Sequence, residues 1–345
     1  MDRIQENMNR ILKKLDRNPR VAGAAFRLET LDGTQAWTAS CGEMTPESRW
    51  YIASINKIFL SSLVLRAVRD GRISLEETLT GVCPGEIPEG LHRYRGVDYT
   101  GRITLRHLLS MTSGLPCYLS DRPAGKISGM KELELGMDRS WSTGEVLERV
   151  LSLPAHFPPG APGRARYGDT GHQLLNLVIR KVENRPVPEV LTELFRELDM
   201  NDTRVIRDPG DRDFVLPRYR REIRDVGKYL SSTENDIVST AGDLARFLRA
   251  FFQGAFWPAG DLYSLMDWKN IFFPFRYGLG IQQFYTPRIL SPFGNVPDFN
   301  GHCGSTGSLA FYVEDLDLLI TGTVNQQDYP QLAFRTAIRL LEVFR

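Results

Sequence analysis

Segments with the character of β-strands gather near the two ends of the chain, and this distribution constrains the fold more than any other feature. Near the N-terminus, residues 21–30 and 35–39 flank a short turn, a pattern typical of a β-hairpin. Near the C-terminus, further strands are predicted at 277–284, 308–313 and 318–324. We therefore expect both ends of the chain to build one antiparallel sheet.

Helical periodicity marks both termini and most of the middle. Apolar residues recur at helical spacing in the segment 2–16, at Ile4, Met8, Ile11 and Leu15, and a similar pattern covers 333–344. Further helices are predicted in the middle of the chain, at 60–70, 104–111, 142–151, 170–182, 188–198 and 241–252. The middle of the chain is thus expected to be mostly helical.

The expected fold class is α+β, with an antiparallel sheet flanked by N- and C-terminal helices and an inserted, mostly helical region. The expected domains are a sheet domain of residues 1–66 and 245–345 and a helical domain of residues 67–244. A chain of 345 residues is long enough for two such interlocked units. We place the active site at their interface.

The charge balance restricts the class of partner. Lys and Arg number 43 against 42 Asp and Glu, so the net charge of +1 gives no electrostatic footprint for nucleic acid or an anionic membrane. The N-terminus carries charges every few residues, and no later stretch is apolar over a membrane-spanning length. We therefore expect a cytoplasmic protein with a small-molecule partner, and the oligomeric state stays open.

Cysteine and histidine spacing argues against a metal site. Cys41, Cys83, Cys117 and Cys303 form no CxxC pair and are interpreted as reduced thiols. The five histidines are scattered and include no HExxH motif. We expect neither a metal nor an organic cofactor.

The segment 51–60, YIASINKIFL, sets a serine and a lysine into an apolar stretch. Ser54 and Lys57 are three residues apart, so on a helix both side chains lie on one face. Burial disfavours the ammonium form, which predicts that Lys57 can act as a base near neutral pH. A second copy of the motif, Ser128 to Lys131, lies among glycines with no apolar run behind it, and we interpret it as a loop.

Three other stretches accompany this pair. Tyr167 lies at the entrance of a predicted helix, which Asp169 or Thr170 can cap. The stretch GHCGSTGS, residues 301–308, is built of small residues that let a strand backbone approach a ligand closely. The third stretch is ITLRHLLSMTSGLP, residues 103–116.

In this order the motifs resemble those of the serine beta-lactamase and penicillin-binding-protein superfamily, in the branch that holds class C beta-lactamases, family VIII esterases and D-aminopeptidases. Ser54-Ile55-Asn56-Lys57 is similar to the nucleophile motif, Tyr167-Gly168-Asp169 to the Tyr-x-Asn motif and His302-Cys303-Gly304 to the Lys-Thr-Gly motif. Other stretches that resemble structural signatures of the family are residues 103–116, FPPG, ELDMNDT, IVSTAGDLARFL and YGLG.

The resemblance implies two-step acyl transfer. Ser54 attacks an ester or amide carbonyl, and Lys57 and Tyr167 share the role of base. The backbone N–H groups of Ser54 and of Ser305, which follows Gly304, stabilise the oxyanion. The implied substrate is a small ester, amide or short peptide.

Two motif positions depart from the family pattern. His302 replaces a lysine, and a histidine of ordinary pKa is only partly charged at pH 7, so it should capture a substrate carboxylate weakly. Asp169 replaces an asparagine; when ionised it cannot donate, so it can hold Lys57 or accept from a substrate N–H or ammonium. Both departures favour esters, D-amino-acid amides or small peptides over beta-lactams.

Two alternatives stay open. The first is a true beta-lactamase or DD-carboxypeptidase, whose substrates lie outside the cytoplasm. The second is a non-catalytic ligand-binding or sensor module that is acylated but does not turn over. The joint presence of Ser54, Lys57 and Tyr167 favours an enzyme.

Overall fold

The protein is described by a computed structural model that covers residues 3–220, 222–257, 259–285 and 296–344. Its strands, numbered along the chain, are β1 (Gly23–Thr30), β2 (Ala36–Gly42), β3 (Trp50–Tyr51), β4 (Arg93–Tyr94), β5 (Val97–Asp98), β6 (Arg204–Val205), β7 (Arg218–Tyr219), β8 (Glu222–Ile223), β9 (Ile237–Ser239), β10 (Lys269–Phe272), β11 (Phe275–Tyr277), β12 (Gln282–Phe284), β13 (Phe299–Gly304), β14 (Ser308–Val313) and β15 (Leu318–Thr323).

Helices dominate the middle of the chain and stand at both ends. They are α1 (Arg3–Leu15), α2 (Asn56–Arg69), α3 (Leu79–Val82), α4 (Leu105–Leu109), α5 (Gly129–Glu134), α6 (Thr143–Leu151), α7 (Thr170–Glu183), α8 (Val187–Glu197), α9 (Gly227–Ser232), α10 (Ala241–Phe252), α11 (Ala259–Ser264) and α12 (Gln331–Leu341). The helices predicted at 2–16 and 241–252 are confirmed as α1 and α10.

One antiparallel sheet of eight strands joins the two ends of the chain. Its strand order is β10-β11-β12-β13-β14-β15-β1-β2. The N-terminal hairpin enters the sheet where β1 pairs with β15, with Phe26 opposite Gly322. The predicted α+β class, with an antiparallel sheet built from both ends of the chain, is confirmed.

Successive residues of a strand point to opposite sides of the sheet, so both of its faces carry apolar side chains. Helices cover both faces. Phe311 of β14 belongs to a buried apolar cluster with residues of α1 and α12, such as Met8 and Leu340. Its neighbour Ala310 belongs to a second cluster, which includes residues of α2 and α10. The sheet therefore lies between the terminal helices α1 and α12 on one face and the helices α2 and α10 on the other. Lys57 belongs to α2.

Two local predictions are wrong. The strand predicted at 277–284 is divided into β11 and β12, because the chain turns at Gly280, where φ is +81°. A side chain at Gly280 would also collide with Ser61. The loop predicted around Ser128 is helix α5, because the Ser128 hydroxyl caps it by accepting a hydrogen bond from the Lys131 amide at 3.2 Å.

Helix α2 begins earlier than the predicted start at residue 60. A single 3-10 turn, Ala53–Ile55, runs directly into α2 at Asn56. Ser54 therefore lies just before the helix and Lys57 in its first turn.

Candidate active site

The geometry around Ser54 is set by a short strand that turns sharply into a helix. After β3 the chain bends at Ala53, whose φ of +51° lies in the left-handed region that a residue with a Cβ rarely adopts. The end of β13 presses against this bend, and a side chain at Gly304 would collide with the carbonyl oxygen of Ile52. The bend and the glycine hold the Ser54 backbone next to the turn that contains Ser305.

Ser54 and Lys57 are in direct contact. The Nζ atom of Lys57 donates a hydrogen bond to Oγ of Ser54 at 3.0 Å. Lys57 is 4% exposed, whereas Ser54 is only partly buried. The amine is therefore enclosed while the hydroxyl stays reachable.

Asp169 completes a partly buried ion pair with Lys57. Its Oδ1 atom accepts a hydrogen bond from Lys57 Nζ at 2.7 Å, and its Oδ2 atom accepts one from Sγ of Cys117 at 3.4 Å. Although Asp169 occupies the N-cap position of α7, its side chain makes no capping hydrogen bond. The sequence left open whether Asp169 holds Lys57 or accepts a hydrogen bond from a substrate. In the structure Asp169 holds Lys57.

This ion pair reverses the expected ionisation of Lys57. Burial by itself disfavours the ammonium, but the Asp169 carboxylate, with help from Tyr167, outweighs burial and raises the pKa of Lys57 above its ordinary value. Burial likewise opposes ionisation of Asp169, yet the Lys57 charge lowers the pKa of this carboxyl overall. The expectation that burial alone makes Lys57 a neutral base near pH 7 is wrong for this arrangement, because the partner carboxylate is 2.7 Å away.

Tyr167 closes the group around Ser54. Its ring centroid lies 5.4 Å from Lys57 Nζ, and its phenol lines the same cavity as Ser54. Burial raises the pKa of Tyr167 and the Lys57 charge lowers it, with a net value of about 12. At neutral pH the group thus consists of an ammonium, a carboxylate, a phenol and a serine hydroxyl.

His302 lies behind Tyr167 and is fully buried. Its ring centroid is 6.1 Å from that of Tyr167. The Nδ1 atom lies 2.8 Å from the Cys303 carbonyl oxygen, which can only accept, so Nδ1 carries the proton. The Nε2 atom is buried without a hydrogen-bond partner among the described residues. His302 is therefore turned away from bulk water.

Burial also decides the charge of His302. It lowers the pKa of this imidazole, helped by the nearby Lys57 charge, to about 3. The expectation of partial charge at pH 7 is therefore wrong, because that expectation took the histidine to be exposed to solvent. His302 brings no cation to this site.

A cavity of about 240 Å³ opens in front of these groups. Ser54, Lys57, Tyr167, Asp169 and Ser305 all line it, so the structure brings these sequence-predicted residues together. Ser305 is exposed in the turn between β13 and β14 and follows Gly304, the last residue of β13. His302 is described by the structure but does not line this cavity.

A second polar network, which sequence analysis missed, lines the same cavity. Asp236 accepts hydrogen bonds from the Tyr51 hydroxyl at 2.7 Å, from Thr233 at 2.6 Å and from the Asn56 amide at 3.3 Å. Asn56 lies between Ser54 and Lys57 in sequence. Burial raises the pKa of Asp236 to about 6. The polar residue inside the Ser54 motif was the signal in the sequence, but its partners lie in a distant segment.

Other functional elements are limited among the residues that the structure describes. No group of three or more His, Cys, Asp or Glu side chains is placed to hold a metal ion. No helix in the described ranges is long and apolar enough to cross a membrane. The four cysteines are free thiols.

Comparisons with known proteins identify the family of this chain. A family model described as "Beta-lactamase" matches residues 8–344. Penicillin-binding protein 4* of Bacillus subtilis is 25% identical over 331 residues; the match covers 85% of this chain but only 65% of that protein's length.

Solved structures with the same fold include two hydrolases. A D-amino acid amidase from Ochrobactrum anthropi, complexed with L-phenylalanine amide, superposes with a TM-score of 0.78 at 21% identity and covers 99% of each chain. EstCE1, a hydrolase with promiscuous acyltransferase activity, gives a TM-score of 0.74 at 16% identity and covers 99% of this chain and 98% of its own. At these identities the likeness is one of fold.

Proposed function

The chain belongs to the beta-lactamase family, and from this premise we propose that it is a serine hydrolase that forms an acyl-enzyme on Ser54. The substrate is a small ester, amide or D-amino-acid peptide. The observation that carries the proposal is the hydrogen bond from Lys57 to the Ser54 hydroxyl, with the Tyr167 ring 5.4 Å from the same amine, at the wall of an open cavity. The cavity lies between a sheet domain of residues 1–66 and 245–345 and an inserted helical domain of residues 67–244, as we propose from the sequence.

Tyr167 is the principal base in this proposal. Tyr167 has a pKa of about 12, and the pKa of Lys57 is raised, so both groups are protonated at neutral pH. Lys57 stays an ammonium because Asp169 holds it, and its charge stabilises a Tyr167 phenolate beside it. The reactive form is therefore a minor one at pH 7, and its population grows as the pH rises.

The reaction proceeds in two steps. In the first, Ser54 Oγ bonds to the substrate carbonyl carbon, its proton passes to the Tyr167 oxygen, and the leaving group departs with that proton. The backbone N–H groups of Ser54 and Ser305 stabilise the negative oxygen of the intermediate. In the second, water attacks the ester on Ser54, gives the acid product its hydroxyl and returns a proton to Ser54.

The neutral His302 bears on the choice of substrate. Because burial keeps this imidazole uncharged, the third motif supplies no cation for a carboxylate next to a beta-lactam ring. Among the proteins that share the fold, one is named as a D-amino acid amidase and EstCE1 as a hydrolase with promiscuous acyltransferase activity. We therefore favour D-amino-acid amides and esters over beta-lactams.

Intact-mass spectrometry tests the proposal directly. After treatment with a fluorophosphonate or a penicillin, the wild type should gain one adduct, Ser54→Ala none, and Ser128→Ala the same adduct as the wild type. Decay of an ester-derived adduct within minutes marks an enzyme, whereas a persistent one marks the sensor module. An adduct retained in Ser54→Ala would contradict the proposal. A panel of p-nitrophenyl esters, D-alanine amides and cephalosporins then assigns the bond; rapid cephalosporin turnover without esterase activity would overturn the substrate preference.

A further inference from the structure

An arginine from a distant hairpin reaches the cavity that contains Ser54. Strands β7 and β8 form this hairpin, and Arg224 follows it, with its amide donating to the Pro217 carbonyl oxygen at 2.9 Å. Arg224 and Tyr219 both line the cavity, and the Arg224 side chain is only 20% exposed. Arg224 is therefore part of the cavity wall.

The hairpin is fixed to the segment that follows β15. The Arg218 amide donates to the Asn325 carbonyl oxygen at 3.2 Å, and the Gln327 amide donates to the Arg218 carbonyl oxygen at 2.8 Å. Gln327 also lines the cavity. These backbone bonds place the arginine on a defined support rather than on a free loop.

The carboxylates that line the cavity already have partners other than Arg224. Asp169 holds Lys57 at 2.7 Å, and Glu134 accepts from Lys131 at 2.9 Å. Asp236 accepts from the hydroxyl and amide groups described above, Tyr51, Thr233 and Asn56. None of these three acids has a contact with the guanidinium among the interactions of the described residues.

Arg224 itself is incompletely paired. Its one carboxylate partner in the described structure is Glu222, at 3.2 Å, and the Glu222 side chain is 72% exposed. Water competes for so exposed a pair, so it contributes little. The Nε atom is buried and has no hydrogen-bond partner in the described part of the chain. The guanidinium thus has donors to spare.

The chemistry of this guanidinium suits a planar anion. Its central carbon lies 5.2 Å from the centroid of the Tyr219 ring, a cation–π contact that helps to hold the group in place. A guanidinium presents its N–H donors in a rigid fork that matches the two oxygens of a carboxylate. A carboxylate is therefore the chemical group that completes the hydrogen bonding of Arg224.

We propose that Arg224 forms a carboxylate subsite of the cavity, so that the preferred substrates carry a free carboxylate in addition to the bond that is broken. The inference rests on the proposed function of Ser54. The carboxylate belongs either to the acyl part of the substrate or to its leaving group.

Matched substrates and a matched variant test this subsite. For the acyl side the pair is the p-nitrophenyl ester of glutaric acid and that of its monoamide; for the leaving side it is D-alanyl-D-alanine and its C-terminal amide. Arg220 is the control, because it lies on the same hairpin over the same ring, at 5.4 Å, but is exposed and does not line the cavity.

Arg224→Gln should lower kcat/KM for the charged member of one pair about 10- to 100-fold and change the neutral member less than about threefold. Arg220→Gln removes the same charge and should change both members by less than about twofold. The pair that responds identifies which part of the substrate carries the carboxylate. Equal losses on charged and neutral members, or equal losses in the two variants, would overturn the subsite.

Labelling of Ser54 with a neutral fluorophosphonate separates this inference from the proposed function. If the wild type and Arg224→Gln are labelled at the same rate but neither prefers a charged substrate, the subsite is wrong and the hydrolase proposal stands. If the wild type is not labelled at Ser54, the proposed function fails first.

Discussion

The chain contains the Ser-x-x-Lys pattern twice, and the two copies end in opposite environments. In the first copy the Lys57 side chain is 5% exposed and pairs with Asp169. In the second the Lys131 side chain is 50% exposed and pairs with Glu134 on its own helix. Both serines precede a helix, so neither spacing nor helix position separates the copies. What separates the copies is the burial of the lysine and whether its carboxylate partner lies on the same helix or on a distant segment.

The two serine hydroxyls differ in the same way. The Ser128 hydroxyl accepts from the Lys131 backbone amide and caps α5, which is the ordinary use of a serine at this position. The Ser54 hydroxyl instead contacts the Lys57 side chain at 3.0 Å, because Ser54 follows the strained bend at Ala53 and lies one residue ahead of Ile55, the α2 cap position. The Ser-x-x-Lys motif becomes a candidate site where tertiary packing places the serine so that its hydroxyl does not cap the helix and is free to contact the lysine side chain.

Replacing each lysine by methionine gives the largest predicted difference. Lys57→Met should lower kcat/KM about 10³-fold, since the phenolate and the serine lose their neighbouring cation. It should also lower the free energy of unfolding by about 1 to 3 kcal/mol, because the Asp169 carboxylate, whose side chain is 21% exposed, is left without its cation. Lys131→Met should change the rate less than about twofold and the stability by under about 0.5 kcal/mol. Steady-state kinetics and urea unfolding measure both.

The double variant Lys57→Met/Asp169→Asn separates the two effects. Without a buried charge it should recover most of the lost stability and none of the lost activity. If activity returned with stability, Lys57 would be a structural residue only, and the two copies of the motif would differ in packing rather than in chemistry.

The residue inside each motif gives the second prediction. In the first copy this is Asn56, which bonds to Asp236; the corresponding Met130 is 37% exposed. Burial raises the Asp236 pKa from 3.8 to about 6. The folded protein therefore binds more protons than the unfolded chain between these values, and stability falls as the pH rises through that window, by about 3 kcal/mol.

Asp236→Asn should remove this pH dependence. Its amide oxygen can accept from Tyr51 and Asn56, and its amide nitrogen can donate to the Thr233 hydroxyl, so the network can be retained. Urea unfolding at pH 4 and at pH 7 should show the stability of the wild type, relative to the variant, decreasing by about 2 kcal/mol, the part of the full effect that falls between these two pH values. A difference that stays constant over this range would mean that Asp236 is already ionised at the lower pH.

Local patterns predicted the elements that local physics determines. The helix predicted at 241–252 became α10, and the short apolar strand predicted at 308–313 became β14. The same reasoning missed α5, because the Ser128 cap was outweighed by the neighbouring glycines, and it missed the break at Gly280, where contact with Ser61 is tertiary. The predictions of secondary structure were therefore wrong where a contact with a distant segment or a single capping residue determined the local structure.

The features of the candidate site likewise include some that the sequence could predict and others that it could not. Ser54, Lys57 and Tyr167 could be selected from spacing and from the family resemblance. The charges of Lys57 and His302 could not, because each depends on burial and on partners far along the chain. Arg224 gave no signal at all in the sequence. A sequence therefore identifies the reacting groups more readily than their protonation states.

Asp169→Asn gives the smallest effect and the sharpest test of what distinguishes the two lysines. The Asp169 carboxylate raises the pKa of both Lys57 and Tyr167, so its removal should lower both. The kcat/KM of the wild type should still be rising at pH 10, whereas that of the variant should reach its plateau at a lower pH. At pH 7 the kcat/KM of the variant should be about tenfold higher than that of the wild type. Glu134→Gln, which neutralises the partner of Lys131, should leave the alkaline limb in place. Coincident profiles for wild type and Asp169→Asn would show that the buried carboxylate does not set the ionisation of this site.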